Sequence, residues 1–308
     1  MSTAEQLPVV VPNRSVAVTN GAAGLGHRVI RGMRRKPLGT VGGLLILVLV
    51  VTALLAPVLA PYDPITVKSS DRLKPPSAAH LLGTDDFGRD ILSRVIYGAR
   101  ISMLLGLGAV AISTVLATAI GVVSGYYGGR IDAVLQRCID TMMAFPGLVV
   151  LLTIMAMLGQ GLGNVILALG IGATAGNARI IRSAVLAVRE NQYVEVARAT
   201  GCRDWQIIGR HILPNVTAPI MVVATLGLGV AILAESSLSF LGFGVPPPTP
   251  SWGAMLSGSG RTYMLQAPWM AVFPGIAISL AVFGFNMLGD ALRDLLDPRL
   301  RGGPQGRS

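Results

Sequence analysis

The residues able to do chemistry are few and scattered. Lys36, Lys68 and Lys74 are the only three lysines in 308 residues, and none follows a glycine. No Gly-Lys-Ser/Thr is therefore available to bring an ammonium to a nucleotide phosphate. His27, His80 and His211 lie far apart, without the spacing of a zincin pair, and Cys138 and Cys202 suggest neither a metal site nor a disulfide framework. The cluster Gly159-Gln160-Gly161-Leu162-Gly163-Asn164 follows no strand and lacks the dinucleotide fingerprint, so it reads as a tight turn between helices. No catalysis is expected of this chain, and no cofactor or metal is expected on it.

Three groups of polar residues remain. Glu235 is an acid inside an apolar run, where a carboxylate faces a bundle interior or water. It would either contact a substrate amino group on a translocation path or bond to the backbone of the Ser236–Leu241 segment that follows. Asp85, Asp86, Arg89, Asp90 and Arg94 mix signs in an order that permits salt bridges within the loop, which favours a self-paired, folded loop and is compatible with a docking surface for another protein. Residues 190–215 read as two short helices with a break. Tyr193 to Thr200 lacks Gly and Pro, and Gly201 suits the left-handed position that closes a helix. Asp204 is placed to cap a second helix carrying Trp205, Ile207 and Ile208, which Pro214 should end. With little bulk at Ala197 and Ala199, the first helix could enter a groove of another protein. An amphipathic connector lying on a membrane fits as well, and the residues alone do not choose.

The elements that must position these groups are membrane spans. Only 13% of the chain is charged and 52% is hydrophobic, with a mean hydropathy of +0.64. A soluble domain carries about 25% charged residues, so a disordered chain is excluded and a water-soluble enzyme is a poor fit. The net charge of +10 lies between uncharged apolar runs, which points to a membrane and not to nucleic acid.

A crossing needs about 20 apolar residues. Leu38–Ala60 supplies the first, read as retained and not as a cleaved leader, and Ile101–Ser124 the second. From Thr141 to Ala178 no charge occurs in 38 residues, too many for one helix. The glycine cluster divides them into spans near Ile139–Leu158, kinked at Pro146, and Asn164–Ile181. Val216 to about Phe240 is the fifth span, and Trp269, an interfacial anchor, opens a sixth that reaches Leu288. Between the last two, Pro246–Gly253 reads as a stiff extended spacer. Open backbone cannot cross lipid, and these runs are too long for barrel strands, so the class is an all-α membrane protein with six transmembrane helices. On the side of the N-terminus fall 18 of the 25 lysines and arginines, with Arg31, Arg34, Arg35 and Lys36 directly before the first span. Both termini are therefore expected in the cytoplasm, with the chain multi-pass in a cell membrane and surrounded by lipid.

The segment from Glu195 resembles the EAA loop of ABC-importer permeases, Glu-Ala-Ala-x3-Gly-x9-Ile-x-Leu-Pro. Glu195, Ala197, Gly201, Leu213 and Pro214 match in spacing, while Val196 and His211 depart from the pattern. The ending His211-Ile212-Leu213-Pro214-Asn215 is similar to the dipeptide/oligopeptide (and nickel) branch. Gly83–Arg94 with Tyr97–Ser102, Ala234–Gly242 and Gly289–Arg299 resemble the C-type subunit of that branch. The resemblance spans about residues 38–302.

It implies a type I ABC importer permease architecture. Residues 1–37 would be a largely flexible cytoplasmic tail, 38–60 the first span and 61–99 an extracytoplasmic loop. A transmembrane core would occupy 100–292 with a coupling loop at 183–215, and 293–308 would form a second cytoplasmic tail. Glu195, Ala197 and Gly201, flanked by Arg198 and Asp204, would couple to cytoplasmic P-loop ATPase subunits that carry ATP and Mg. Asp85, Asp86, Arg89 and Asp90 would receive an extracytoplasmic substrate-binding protein, and a second homologous permease would complete the path beside Glu235. The expected cargo is a dipeptide or oligopeptide, with nickel or another small solute as the alternative. A secondary transporter working without ATPases is the alternative from another class.

Overall fold

The computed structural model describes residues 37–296. The tail before Pro37, with Arg31, Arg34, Arg35 and Lys36, lies outside the described residues, as do Asp297, Pro298 and Arg299 in the segment after Leu296. In chain order the helices are α1 (Pro37–Leu54), α2 (Ala56–Leu59), α3 (Ile91–Tyr127), α4 (Gly129–Met143), α5 (Gly147–Leu158) and α6 (Leu162–Arg189). There follow α7 (Gln192–Ala199), α8 (Asp204–Ile207) and, after a π-helical turn at Ile208–Ile212, α9 (Leu213–Phe240). Two short helices, α10 (Trp252–Leu256) and α11 (Ser259–Thr262), precede α12 (Trp269–Leu296). Among the described residues the only β-type pairing is an isolated bridge between Thr84 and Asp90.

Among the described residues, five helical stretches are long and apolar enough to cross a membrane, and the bent pair α4–α5, taken as one span, makes six. The charge-free runs thus marked the spans, but four features differ from the sequence reading. First, α3 begins at Ile91, well inside the loop expected to extend to residue 99. Asp90 caps it, accepting from the Ser93 N–H at 2.8 Å, and Arg94 is neutralised beside Asp85 at 3.7 Å. At 37 residues it is about 55 Å long, so it protrudes from a hydrocarbon core of about 30 Å.

Second, the third span is broken and not merely kinked. Pro146 lacks the N–H that a continuing helix needs, and it stands as the N-cap of α5. The axes of α4 and α5 meet at 92°. With 12 residues α5 is only about 18 Å long. Amphipathic α4 is latched to α6 by two ion pairs: Arg182 grips Asp132 through Nε at 2.6 Å and Nη2 at 2.5 Å, and Arg179 pairs with Asp140.

Third, Pro214 does not end the helix before it. The wider π-helical turn at Ile208–Ile212 gives its ring room, and α8 runs on into α9. Fourth, the Pro246–Gly253 stretch is no extended spacer; it turns repeatedly and delivers Trp252, 2% exposed, into the core.

The closest packing joins α3 and α6. Ala109, Ser113, Ala117, Gly121 and Gly125 recur every fourth residue on α3, and all are buried. Gly170, Thr174 and Ala178 do the same on α6. Such ladders let helix backbones approach where lipid offers no hydrophobic drive. A Cβ on Gly121 would stand 2.9 Å from the Ala178 carbonyl oxygen. A second core joins α1, α3, α9 and α12 through Ala53, Ala99, Ile232, Ile278 and Phe285, with Trp252 of α10 among them.

Long-range hydrogen bonds sort the connections into two ends. At one, Arg72 donates to the Tyr263 hydroxyl at 2.7 Å, Trp269 to the Thr84 carbonyl at 3.1 Å and Gln160 to the Gly242 carbonyl at 2.8 Å. This is the Trp252 end, where Trp269 fastens a loop as well as opening its helix. At the other, the Gly201 end, Arg189 donates to the Tyr126 carbonyl at 3.0 Å.

Candidate functional site

At the Gly201 end, α7 and α8 form the two-helix element expected from residues 190–215. Gly201 closes α7 with φ +80°. Its N–H donates to the Arg198 carbonyl and the Cys202 N–H to the Ala197 carbonyl, both at 3.0 Å. This is a Schellman closure, and only glycine adopts it without strain. Nothing lies within 4 Å of where a Gly201 Cβ would be, so the residue sits open at the tip. The second helix is not capped by Asp204: Arg203 takes the N-cap position, its N–H donating to Gln206 Oε1 at 3.0 Å. Asp204 instead accepts from the Tyr126 hydroxyl at 2.7 Å.

The expected site residues divide between two faces. Glu195 and Gly201 are exposed. Ala197 is buried against the molecule's own core with Val194, Val185, Ile207 and Ile212, so its small size serves internal packing. Arg198 lies over the Tyr126 ring, 5.2 Å from its centroid. The outward apolar surface comes from Val196, 61% exposed, and Trp205, 66% exposed.

A cavity of about 630 Å³ opens between α3, the α4–α5 break, α6 and α9. Met143, Phe145 and Leu148 line it at the break, and Val223, Gly227 and Val230 along α9. No charged side chain is among its lining residues. Its polar groups are Ser113 and Asn177, whose amide donates to the Ser113 hydroxyl at 2.9 Å. Glu235 does not line it. That side chain is fully buried, and Oε1 accepts from the Ser239 hydroxyl at 2.6 Å while Oε2 has no partner. The bond goes to a serine side chain and not to the backbone beyond it.

The acidic and basic residues before α3 hold a folded loop. Asp85 pairs with Arg89 at 2.6 Å, and Asp90 with His80 at 2.9 Å. Asp85 and Asp90 are buried, and Asp86 accepts from the Ser259 hydroxyl at 2.6 Å. Nearby, a hydrogen bond from Lys74 holds the Asp71 carboxyl below its ordinary pKa. Phe87 remains exposed at the surface of this loop, beneath the Arg89 guanidinium.

Residues 117–302, more than half of the chain, match the family described as binding-protein-dependent transport system inner membrane component. The chain belongs to this family. Residues 24–76 of the permease also match the N-terminal transmembrane domain of oligopeptide transport permease C. It is 44% identical over 275 residues to the dipeptide transport system permease protein DppC of Alkalihalophilus pseudofirmus, covering 89% of this chain and 90% of the relative. The glutathione transport system permease protein GsiD of Pectobacterium atrosepticum is 42% identical over 272 residues, covering 88% of this chain and 90% of the relative. Among solved structures, an inward-facing conformation of the MetNI methionine ABC transporter superposes with a TM-score of 0.56 at 17% identity, over 67% of this chain and 98% of that one. The fold is that of a type I ABC importer permease. Membership of a binding-protein-dependent family sets aside the secondary-transporter alternative.

Three residues of the permease site escaped the sequence reading. Tyr126 ends an apolar run, and its partners lie 72 and 78 residues further on, so nothing local marked it. Val196 looked like a departure from the motif, and Trp205 was grouped with the apolar Ile207 and Ile208. Both are exposed, a distinction that helical spacing in so short an element could not make.

Proposed function

We propose that this permease forms half of the translocation path of an ATP-driven importer for dipeptides or oligopeptides. It pairs with a second homologous permease, cytoplasmic P-loop ATPase subunits that bind ATP and Mg, and an extracytoplasmic binding protein. The chemistry of ATP hydrolysis belongs to those ATPases. Both termini lie in the cytoplasm, which puts the Gly201 end inside and the Trp252 end outside, in keeping with the excess of Lys and Arg on that side. The names of the relatives support the peptide cargo.

The observation that carries this reading is the α7–Gly201–α8 element. It is fixed on its inner face by Val194, Ala197 and Ile207 and presents Val196 and Trp205 outward. A short helical knob with an apolar tip suits a cleft in a partner. In this reading Glu195, Gly201, Val196 and Trp205 meet the ATPase, while Ala197, Arg198 and Asp204 fasten the knob to the permease. The folded loop built on Asp85, Asp86, Arg89 and Asp90 supports the surface that receives the binding protein. Glu235 is held within the outer part of α9 by Ser239 of the same helix and forms no wall of the path.

Affinity purification of the full chain in mild detergent, followed by mass spectrometry, tests the assembly. A second six-span permease and P-loop ATPases are expected to co-purify. A chain that purifies alone after gentle extraction would overturn the reading. ATP hydrolysis by the assembly should then rise with binding protein loaded with a dipeptide, and a response to nickel alone would move the cargo to the alternative.

A further inference from the structure

We infer that Tyr126 is a positioning residue of transport, the point through which the α7–α8 knob moves α3. The inference rests on the coupling role proposed above. Tyr126 stands on the last turn of α3 and is 3% exposed. Its hydroxyl donates to Asp204 Oδ1 at 2.7 Å, at the start of α8. Its ring carries the guanidinium of Arg198, in the last turn of α7, at 5.2 Å from the centroid. Its carbonyl and that of Gly125 accept from Arg189 Nη1 at 3.0 and 3.2 Å, at the end of α6. One residue therefore gathers the ends of α6, α7 and α8 on the end of α3.

The grip lies on both sides of the Gly201 closure. Displacement of the knob by a partner pulls on Tyr126 from α7 and α8 together. From Tyr126 the path continues along α3, whose backbone is packed on α6 through Gly121 and Gly125, where a Cβ would meet Ala178, Ile181 and Val185 within 3 Å. Packing this close is not compressible, so the two helices move as one body. That body lines the cavity with Ala109, Ser113 and Asn177. Movement at residue 126 thereby reaches the cavity wall through a contiguous set of packed groups.

The test uses the assembled importer in lipid vesicles and reads peptide uptake per ATP hydrolysed. Tyr126→Phe keeps the ring and removes only the hydroxyl. It is expected to lower that ratio at least threefold, with ATP turnover falling less than uptake and with the amount and thermal midpoint of the assembly near those of the parent. Asp204→Ala should match it, the double variant should lower the ratio no further, and Asp204→Asn, which still offers an oxygen acceptor, should recover most of it. An unchanged ratio in Tyr126→Phe overturns the inference. So do uptake and turnover that fall together with the amount of assembly, since that is a purely structural role. Absence of ATP-dependent uptake by the parent assembly would instead overturn the function proposed above.

Discussion

Trp252 is keyed into the flank of α3 at Gly98. Its indole N–H donates to the Val95 carbonyl at 2.9 Å, and a Cβ on residue 98 would stand 2.6 Å from its Cδ1. The loop between α9 and α12 is thereby part of the core and not a free strap. The same indole belongs to the core that Ala53, Ala99, Ile232 and Phe285 build, to which α1, α3, α9 and α12 each contribute.

Gly98→Ala should therefore destabilise the protein although it replaces a helical glycine. The helix gains about 1 kcal/mol in propensity, but the methyl must displace a buried indole, and overpacking costs about 1–3 kcal/mol. A lowered thermal midpoint in detergent checks this. Gly43→Ala is the control, since nothing lies within 4 Å of its Cβ position, and its midpoint should not fall.

Glu235→Gln should retain uptake across pH. Its carbonyl oxygen can take over the bond from Ser239, and no charged group is removed from the cavity wall. Glu235→Leu leaves the Ser239 hydroxyl without its acceptor in a buried place, at a cost of about 1–3 kcal/mol, and should lower the thermal midpoint. Uptake by the glutamine variant that is lost or newly pH-dependent would show a charge role.

Trp205→Ala should weaken ATPase association more than any other single change on the knob. A large aromatic at the centre of an interface is worth about 2 kcal/mol, roughly 30-fold in affinity. Titration of the purified ATPase against permease in nanodiscs measures it. The fold of the permease should be unaffected, because the indole is 66% exposed.

Much of this was legible in the sequence because lipid simplifies the code. Runs without charge put the starts of the first and last spans, at Leu38 and Trp269, within a residue of where the helices begin, and Gly201 announced its left-handed turn. What stayed hidden depends on contacts distant in sequence. Arg94 lies inside α3, paired with Asp85, where its charge had suggested a loop, and Pro214 is absorbed by a π-helical turn that no local signal reveals. The break at Pro146 goes with a placement of α4 that its own residues do not announce, held against α6 by the pairing of Asp132 with Arg182, 50 residues away. Ala197 matched a motif, but its inward face follows from the packing of Val194 and Ile207 around it.

Uptake by Gly201→Asp tests the central claim, that the α7–α8 knob transmits the work of partner ATPases, most directly. The side chain would strain a residue held at φ +80° and add bulk and charge at the open tip, where nothing lies within 4 Å of its Cβ position. In vesicles containing the assembled importer, the account predicts normal expression and membrane insertion, continued ATP hydrolysis and loss of ATP-dependent uptake. Normal uptake by a well-expressed variant would contradict it.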